Sequence, residues 1–217
     1  MKEKSLEQTI KRHFWFLVIF KRLVLRKKSY LHYTGWVECI KRGYPCGNDG
    51  SEAPWMNYPV INILKEHLNG DLKLFEFGSG YSTLFYAKLV RNVISVEHDR
   101  MWLNRLESKV PDNVSLLYKE KDIDGMYCRA ITEFNQEFDV VIVDGRDRVN
   151  CVKQAIGKLS KIGVIILDDS DRMRYLEAID HAKKKRFRAL SIEGLKPTSF
   201  GIDRTTILYR ENNCLNI

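Results

Sequence analysis

The feature that most constrains the fold is a regular alternation of apolar, strand-like runs with helical stretches from Leu72 onward. The strand candidates cover 72–77, 93–97, 114–118, 138–143, 162–168, 188–193 and 203–209. The helical stretches cover 81–90, 100–109, 125–135, 148–160 and 172–185. Runs such as DVVIVD and GVIILDD are apolar throughout, which is typical of strands that are buried on both faces. Strands that alternate with helices predict parallel βαβ units in a doubly wound sheet.

The last two strand candidates have no helix between them, only the stretch GLKPTSFGID. A connection without a crossover helix favours an antiparallel hairpin. We therefore predict an α/β fold: a doubly wound, mostly parallel seven-stranded sheet with an antiparallel C-terminal hairpin and an N-terminal helical extension. The predicted divisions of the chain are a basic and apolar N-terminal helix (1–30), an aromatic-rich segment (31–70) and the core (71–217).

Composition limits the choice of partners. The 217 residues carry a net charge of +8, which suits an anionic partner such as nucleic acid, a membrane surface or an acidic or phosphate-bearing substrate. A merely basic soluble enzyme fits the same charge. No two cysteines have the short C-x-x-C spacing of a zinc or redox site, so we expect free thiols in a reducing compartment. The cysteines are Cys39, Cys46, Cys128, Cys151 and Cys214.

The N-terminal region combines an apolar run, Phe14 to Phe20, with basic flanks in the stretch KRHFWFLVIFKRLVLRKK. The run is too short to span a bilayer, which takes about 20 residues. It also lacks the small-residue cleavage site of a signal peptide. Two interpretations remain open for residues 10–28: a helix that lies in an anionic membrane interface, or a helix that packs on the domain or on a second subunit.

The stretch LKLFEFGSGYSTLFY places a two-glycine turn directly after the first core strand. In a doubly wound sheet, ligands bind beyond the carboxyl ends of the strands, and Gly78 and Gly80 let a ligand approach the backbone. Ser82 or Thr83 can cap the helix that follows. Because Thr83 stands where a dinucleotide fingerprint has its third glycine, that match fails. Glu97 ends the next strand, where an acid can bind both hydroxyls of a ribose or can simply cap a helix.

Glu76, the glycine turn and Glu97 together resemble the class I S-adenosylmethionine-dependent methyltransferases, over about residues 70 to 210. The resemblance implies that the methionine part of the cofactor lies against the glycine turn, the ribose on Glu97 and the adenine near Asp122 or, less favoured, Asp124. The stretches PWMNYP, EFGSGYSTLF, SVEHDR and GVIILDDSDR resemble, more narrowly, a bacterial group of this class that is often associated with cell-surface polysaccharide pathways. The implied cofactor-binding residues are Glu76, Gly78, Ser79, Gly80, Glu97, His98, Asp122 and Asp144.

Carboxylates also end the fourth and fifth strands, in VIVDGRDR and IILDDSDR. Asp144, Asp168 and Asp169 are candidate oxygen ligands for Mg²⁺, an arrangement similar to the Asp…Asp-Asn set of catechol-type O-methyltransferases. The departure is that Asp-Asp-Ser stands where an Asp-Asn pair is expected. Without a metal, Asp144 is a candidate catalytic base for a hydroxyl, or the acids cap helices and pair with nearby arginines.

The predicted function is methyl transfer from S-adenosylmethionine, through O-methylation of a small or carbohydrate acceptor. Residues 31–70 are expected to cover the substrate, and Arg146 and Arg148 can clamp an anionic group on it. The other candidate acceptor-binding residues are Trp55, Tyr58 and Tyr81. The alternatives are an oxidoreductase linked to NAD or a nucleotide sugar, and a non-enzymatic basic module for membrane or nucleic acid. For the enzyme, we expect no nucleic-acid partner and a cytoplasmic location, peripheral to the inner membrane face.

Overall fold

The computed structural model describes residues 14–217, and its centre is a seven-stranded sheet in the order β3-β2-β1-β4-β5-β7-β6. The strands are β1 (Lys73–Phe77), β2 (Asn92–Glu97), β3 (Val114–Tyr118), β4 (Phe138–Val143), β5 (Leu159–Leu167), β6 (Arg188–Leu195) and β7 (Ile202–Tyr209). The helices are α1 (Trp15–Phe20), α2 (Tyr30–Tyr33), α3 (Trp36–Arg42), α4 (Tyr58–His67), α5 (Tyr81–Ala87), α6 (Arg100–Glu107), α7 (Met126–Arg129), α8 (Arg148–Ile156) and α9 (Leu176–Lys184).

Strands β1 to β5 pair in parallel, whereas β7 is antiparallel to both β5 and β6. This arrangement confirms the predicted fold class. The chain winds outward from β1 to β3 and then returns to place β4 on the other side of β1, with Phe77 opposite Val143. The carboxyl ends of β1 and β4 therefore meet at the point where strand order reverses, which is where open α/β sheets bind ligands.

Alternate residues of the central strands enter two separate apolar cores, one on each face of the sheet. Phe75 of β1 belongs to the core that contains α8 and α9, and Leu74 belongs to the core that contains α4 and α5. Val141 and Val140 of β4 divide in the same way. Burial on both faces explains why these strands read as unbroken apolar runs.

Several predicted boundaries differ from the structure. The helix predicted over 148–160 ends at Ile156, and β5 begins at Leu159 because Leu159 pairs with Phe138, with a register shift before Val140. The helix predicted over 125–135 is reduced to α7 and a 3₁₀ turn, Ala130–Glu133, where the Thr132 hydroxyl donates to the carbonyl of Arg129. The helix predicted over 172–185 begins as a 3₁₀ turn, Met173–Tyr175, and continues as α9.

The N-terminal helix predicted over 1–30 lies partly outside the described residues, as does the contact predicted for 10–28. In the described part, α1 and the π-helical turn that follows it, Lys21–Leu25, contain no buried residue. Among the described residues, no helix has the length and apolarity needed to cross a membrane. All five cysteines are free and buried.

Candidate functional site

The two glycines of the first turn have different structural roles. Gly78 has φ of +100°, and a Cβ atom there would lie 2.8 Å from the Cα of Gly145, so the turns after β1 and β4 touch. Gly80 has an extended backbone, and a Cβ atom there would meet no neighbouring atom closer than 3.9 Å. Gly78 is therefore required by conformation and packing, whereas Gly80 leaves open space beside the turn.

Glu76 lies beneath the turn and is fully buried. Its carboxylate accepts hydrogen bonds from the hydroxyls of Ser82 (2.5 Å), Thr83 (2.5 Å) and Ser95 (2.7 Å). Burial raises the pKa of Glu76 to about 7, although the three hydroxyls oppose the rise. Thr83 Oγ1 also accepts from the backbone N–H of Gly80 at 2.9 Å; the N-cap residue of α5 is Gly80, so Thr83 acts from within the first turn and not as the predicted N-cap. Glu76 fixes the start of α5 and does not line the cavity that lies beyond the carboxyl ends of β1, β2 and β4.

Glu97, at the end of β2, does line this cavity, and its hydrogen bonds connect the glycine turn to the neighbouring strand. It accepts hydrogen bonds from the backbone N–H groups of Ser79 (3.0 Å), His98 (2.8 Å) and Asp99 (2.8 Å). The His98 Nδ1 atom lies 2.7 Å from Glu97 Oε1. The indole N–H of Trp102 donates to the carbonyl of Ser79 at 2.9 Å, which holds the turn from the opposite side.

These elements enclose a cavity of about 350 Å³ beyond the carboxyl ends of β1, β2 and β4, which we call the cleft. Ten of the residues predicted to bind cofactor or acceptor line it: Trp55, Gly78, Ser79, Gly80, Tyr81, Glu97, His98, Asp144, Arg146 and Arg148. The sequence did not single out Pro45 and Trp102, which also line the cleft. For Trp102 the available signal was an aromatic residue in the helix that directly follows Glu97.

Two other predicted site residues lie elsewhere. Tyr58 is 2% exposed in the core beneath the sheet, because α4 packs its first turn against the strands. Asp122 caps α7: its carboxylate accepts from the backbone N–H groups of Met126 (2.5 Å) and Tyr127 (3.1 Å). Asp122 lines a neighbouring cavity of about 360 Å³, together with Arg146, Arg172 and Arg174 among others.

The carboxylates after β4 and β5 converge as predicted, and one oxygen each of Asp144, Asp168 and Asp169 lie within 4.8 Å of one another. The buried Arg148 lies among them, with Nη2 at 2.8 Å from Asp144 Oδ1 and 3.3 Å from Asp169 Oδ2. Its other N–H groups donate to the carbonyls of Gly145 and Asp168. Arg148 therefore neutralises negative charge on these acids. Most of its N–H groups already have partners, so few remain to bind a ligand.

The Asp169 carboxylate has further cationic partners. Lys196 Nζ lies 2.8 Å from its Oδ1 atom, and Arg172 Nη2 lies 2.7 Å from its Oδ2 atom. Asp168 accepts from the Thr205 hydroxyl at 2.6 Å. Because Mg²⁺ needs about six oxygen ligands around it, and three cationic groups already contact these carboxylates, the arrangement does not fit the predicted magnesium site.

A second cavity, of about 460 Å³, adjoins the cleft on the side of β5 and shares Trp55 and Asp144 with it; we call it the acidic pocket. The remaining lining residues are Asp168, Asp169, Lys196, Thr198 and Ser199. Burial raises the pKa of Asp144 to about 6, and Arg148 opposes the rise. Asp144 faces both cavities.

Comparison with solved structures supports the interpretation of the fold. An rRNA methylase from Streptococcus thermophilus superposes with a TM-score of 0.54 and 14% identity, over 70% of this chain and 95% of that one. A precorrin-6y C5,15-methyltransferase from Geobacter metallireducens superposes with a TM-score of 0.55 and 14% identity, over 71% and 88%. A Streptococcus mutans protein described as a methyltransferase, in complex with S-adenosylhomocysteine, gives 0.51 and 14%, over 69% and 94%.

The chain has the Rossmann-like fold of these methyltransferases. Its sequence matches no family model and no curated protein. At this level of identity the comparison establishes the fold, and the chemistry must be inferred from the site itself.

Proposed function

We propose that this protein is a methyltransferase that uses S-adenosylmethionine. The observation that carries the proposal is the cleft at the reversal of strand order, which has the open turn at Gly80 on one side and Glu97 on the other. Ligands of open α/β sheets bind in this position. The complex of the Streptococcus mutans neighbour with S-adenosylhomocysteine supports the same cofactor.

The cleft residues fit the parts of this cofactor. The backbone of the glycine turn would lie against the amino-acid part, Glu97 would accept the ribose hydroxyls, and His98 would lie beside the adenosine. Bound S-adenosylmethionine supplies a methyl group on a positively charged sulfur. This chain must then orient an acceptor in line with that methyl group and exclude water, and Asp144 is placed to accept the proton of the acceptor.

The part of the acceptor that best suits the acidic pocket is a neutral, hydroxyl-bearing group such as a sugar ring. Carboxylates accept hydrogen bonds from hydroxyls, and the half-exposed ring of Trp55 offers an apolar surface for a sugar ring. The chemistry is therefore O-methylation. An anionic group elsewhere on the acceptor could contact Arg146 and Arg172 in the neighbouring cavity.

Calorimetric titration tests the cofactor. S-adenosylhomocysteine and S-adenosylmethionine should bind the wild type, NAD should not, and Glu97→Ala should weaken binding at least about tenfold, a loss of about 1.4 kcal/mol. Glu107→Ala, at an exposed glutamate at the end of α6, is the matched control and should bind like the wild type. Binding of NAD in preference to S-adenosylhomocysteine would establish the oxidoreductase alternative instead.

We further propose that the N-terminal helix binds to the surface of an anionic membrane. Trp15 is 61% exposed and Phe16 51% exposed, and their apolar neighbours in α1 are similarly uncovered. From Gln8 to Val37 the sequence has no acidic residue, but it has these lysines and arginines: Lys11, Arg12, Lys21, Arg22, Arg26, Lys27 and Lys28. A second copy of the chain would add its own cations to this surface, whereas an anionic bilayer would neutralise them. The enzyme would then work at the inner face of the membrane.

Sedimentation with lipid vesicles tests this contact. The wild type should sediment with phosphatidylglycerol vesicles at low salt, and much less with phosphatidylcholine vesicles or at high salt. The double variant Trp15→Ser/Phe16→Ser should lose binding, and Phe200→Ser, at an 81% exposed site in the β6–β7 connection, should keep it. A wild-type dimer that Trp15→Ser/Phe16→Ser converts to monomers, without vesicle binding, would establish the alternative contact between subunits.

A further inference from the structure

Lys196 is a cationic side chain in the wall of the acidic pocket that the sequence does not single out. It follows β6 directly, and its Nζ atom lies 2.8 Å from Asp169 Oδ1 and 3.2 Å from Asp203 Oδ2. The side chain is 19% exposed, so it is largely enclosed but still reaches the cavity. Two acids from different elements, the turn after β5 and the start of β7, thus hold one ammonium group.

Lys196 lies beside the place where the three acids would bind a metal ion, and it contacts one of them, Asp169. Asp169 is one of the three carboxylates whose oxygens approach within 4.8 Å, and both Lys196 and Arg148 contact it. The N–H groups of Arg148 are directed at main-chain carbonyls and carboxylates. An ammonium group has three N–H donors, and the described residues provide two carboxylate partners for Lys196. One N–H therefore remains to contact a ligand in the pocket.

The connection that carries Lys196 is itself anchored. The backbone N–H of Ser199 donates to the carbonyl of Lys196 at 3.2 Å, which forms a tight turn. The indole N–H of Trp36 in α3 donates to the carbonyl of Ser199 at 2.8 Å. The ring of Trp36 also packs edge-on against Phe200. The backbone that follows Lys196 is therefore held in place by its own turn and by α3.

We propose that the ammonium group of Lys196 takes the place of a divalent ion in the acidic pocket and contacts the oxygen of the acceptor that receives the methyl group. This inference rests on the proposed function. In the transfer, the acceptor oxygen forms a bond to the methyl carbon, and the carbon–sulfur bond breaks with its electron pair left on sulfur. The hydroxyl proton passes to the Asp144 carboxylate, and Lys196 stabilises the negative charge that develops on the oxygen.

The test uses Mn²⁺ as a probe ion and needs no acceptor. The loss of the free-ion signal in electron paramagnetic resonance reports Mn²⁺ binding to the full chain. The wild type should show no binding tighter than about 1 mM, and Lys196→Met, which leaves Asp169 and Asp203 without the ammonium group between them, should bind at least about tenfold more tightly. Lys196→Arg keeps the charge and should behave like the wild type.

Tight Mn²⁺ binding by the wild type, lost in Asp169→Asn, would overturn the proposal. So would a folded Lys196→Met variant that gains no affinity for Mn²⁺. If Lys196→Met does not fold, Lys196→Gln serves instead, and thermal unfolding of the wild type with and without Mn²⁺ still decides whether a metal site exists. The same samples are titrated with S-adenosylhomocysteine, so a failure of the proposed function is seen separately from a failure of this inference.

Discussion

Acidic residues lie at the carboxyl ends of four neighbouring strands, β2, β1, β4 and β5. Their partners differ between the two halves of the site. At β1 and β2, Glu76 and Glu97 accept hydrogen bonds from neutral groups, hydroxyls in one case and backbone N–H groups in the other. At β4 and β5, Asp144 and Asp169 are instead paired with the cations Arg148 and Lys196. The same sequence feature, an acid at the end of a strand, thus has two kinds of partner.

The two kinds of partner suit two different tasks, ligand binding and proton transfer. Neutral donors fix the geometry of the turn without adding charge, which suits a binding surface for a cofactor that brings its own positive charge. Lys196 and two arginines lower the pKa of Asp169 against the effect of burial, whereas burial raises the pKa of Asp144 to about 6. A carboxylate whose pKa is raised in this way suits a place where a proton must move. The predictions below test the two halves separately.

The largest effect is expected on the charged side, from Arg148→Met. Removal of the guanidinium leaves Asp144 and Asp169 without their buried partner, and breaking a buried ion pair in this way costs about 3–5 kcal/mol of the free energy of unfolding. Urea denaturation measures this loss. Arg174→Met, at an exposed arginine of the same region, should cost less than about 1 kcal/mol. Similar losses in the two variants would contradict the role given to Arg148.

A smaller effect is expected at the glycine turn, where the two glycines form a matched pair. Gly78→Ala places a methyl group 2.8 Å from the backbone of Gly145 and forces alanine into a left-handed conformation. We expect a loss of about 3 kcal/mol and weak binding of S-adenosylhomocysteine.

Gly80→Ala meets no such contact and should lose about 1 kcal/mol or less. Its affinity for S-adenosylhomocysteine, measured by the same titration, then reports how closely the ligand approaches this residue. Equal stability of the Gly78→Ala and Gly80→Ala variants would show that the contact between the two turns is unimportant.

A smaller effect than that of Gly78→Ala is the pH dependence contributed by Glu76. Its pKa is about 7 in the folded state, above the ordinary 4.5, so the folded state holds this proton more tightly than the unfolded state. Glu76 therefore lowers the free energy of unfolding as the pH rises from about 4.5 to about 7.

Glu76→Gln removes this contribution. Between about pH 5 and about pH 8, the stability of the variant relative to the wild type should rise by about 2 kcal/mol. Denaturation curves at the two pH values measure the change, and Glu107→Gln, at an exposed glutamate, should show none. A constant difference between Glu76→Gln and the wild type would mean that Glu76 ionises at its ordinary pKa.

Much of the fold could be predicted because its signals are local. The unbroken apolar run of β4 follows from burial on both faces, and the connection without a helix predicted the antiparallel hairpin of β6 and β7. The place of β7 between β5 and β6 was not specified, since strand order depends on contacts between distant residues. The extra residues at the start of β5 escaped prediction for the same reason, because they pair with β4 across a register shift.

By itself, the sequence determined where the cleft lies. Parallel strands bring their carboxyl ends to one edge, so Gly78, Glu97 and Asp144 had to meet there once the alternation of strands and helices was recognised. What each side chain does at that edge was decided only by the tertiary structure. Whether an acid contacts a hydroxyl, an amide or a cation depends on groups far away in the chain, such as Lys196 for Asp169, and no local pattern encodes that distance.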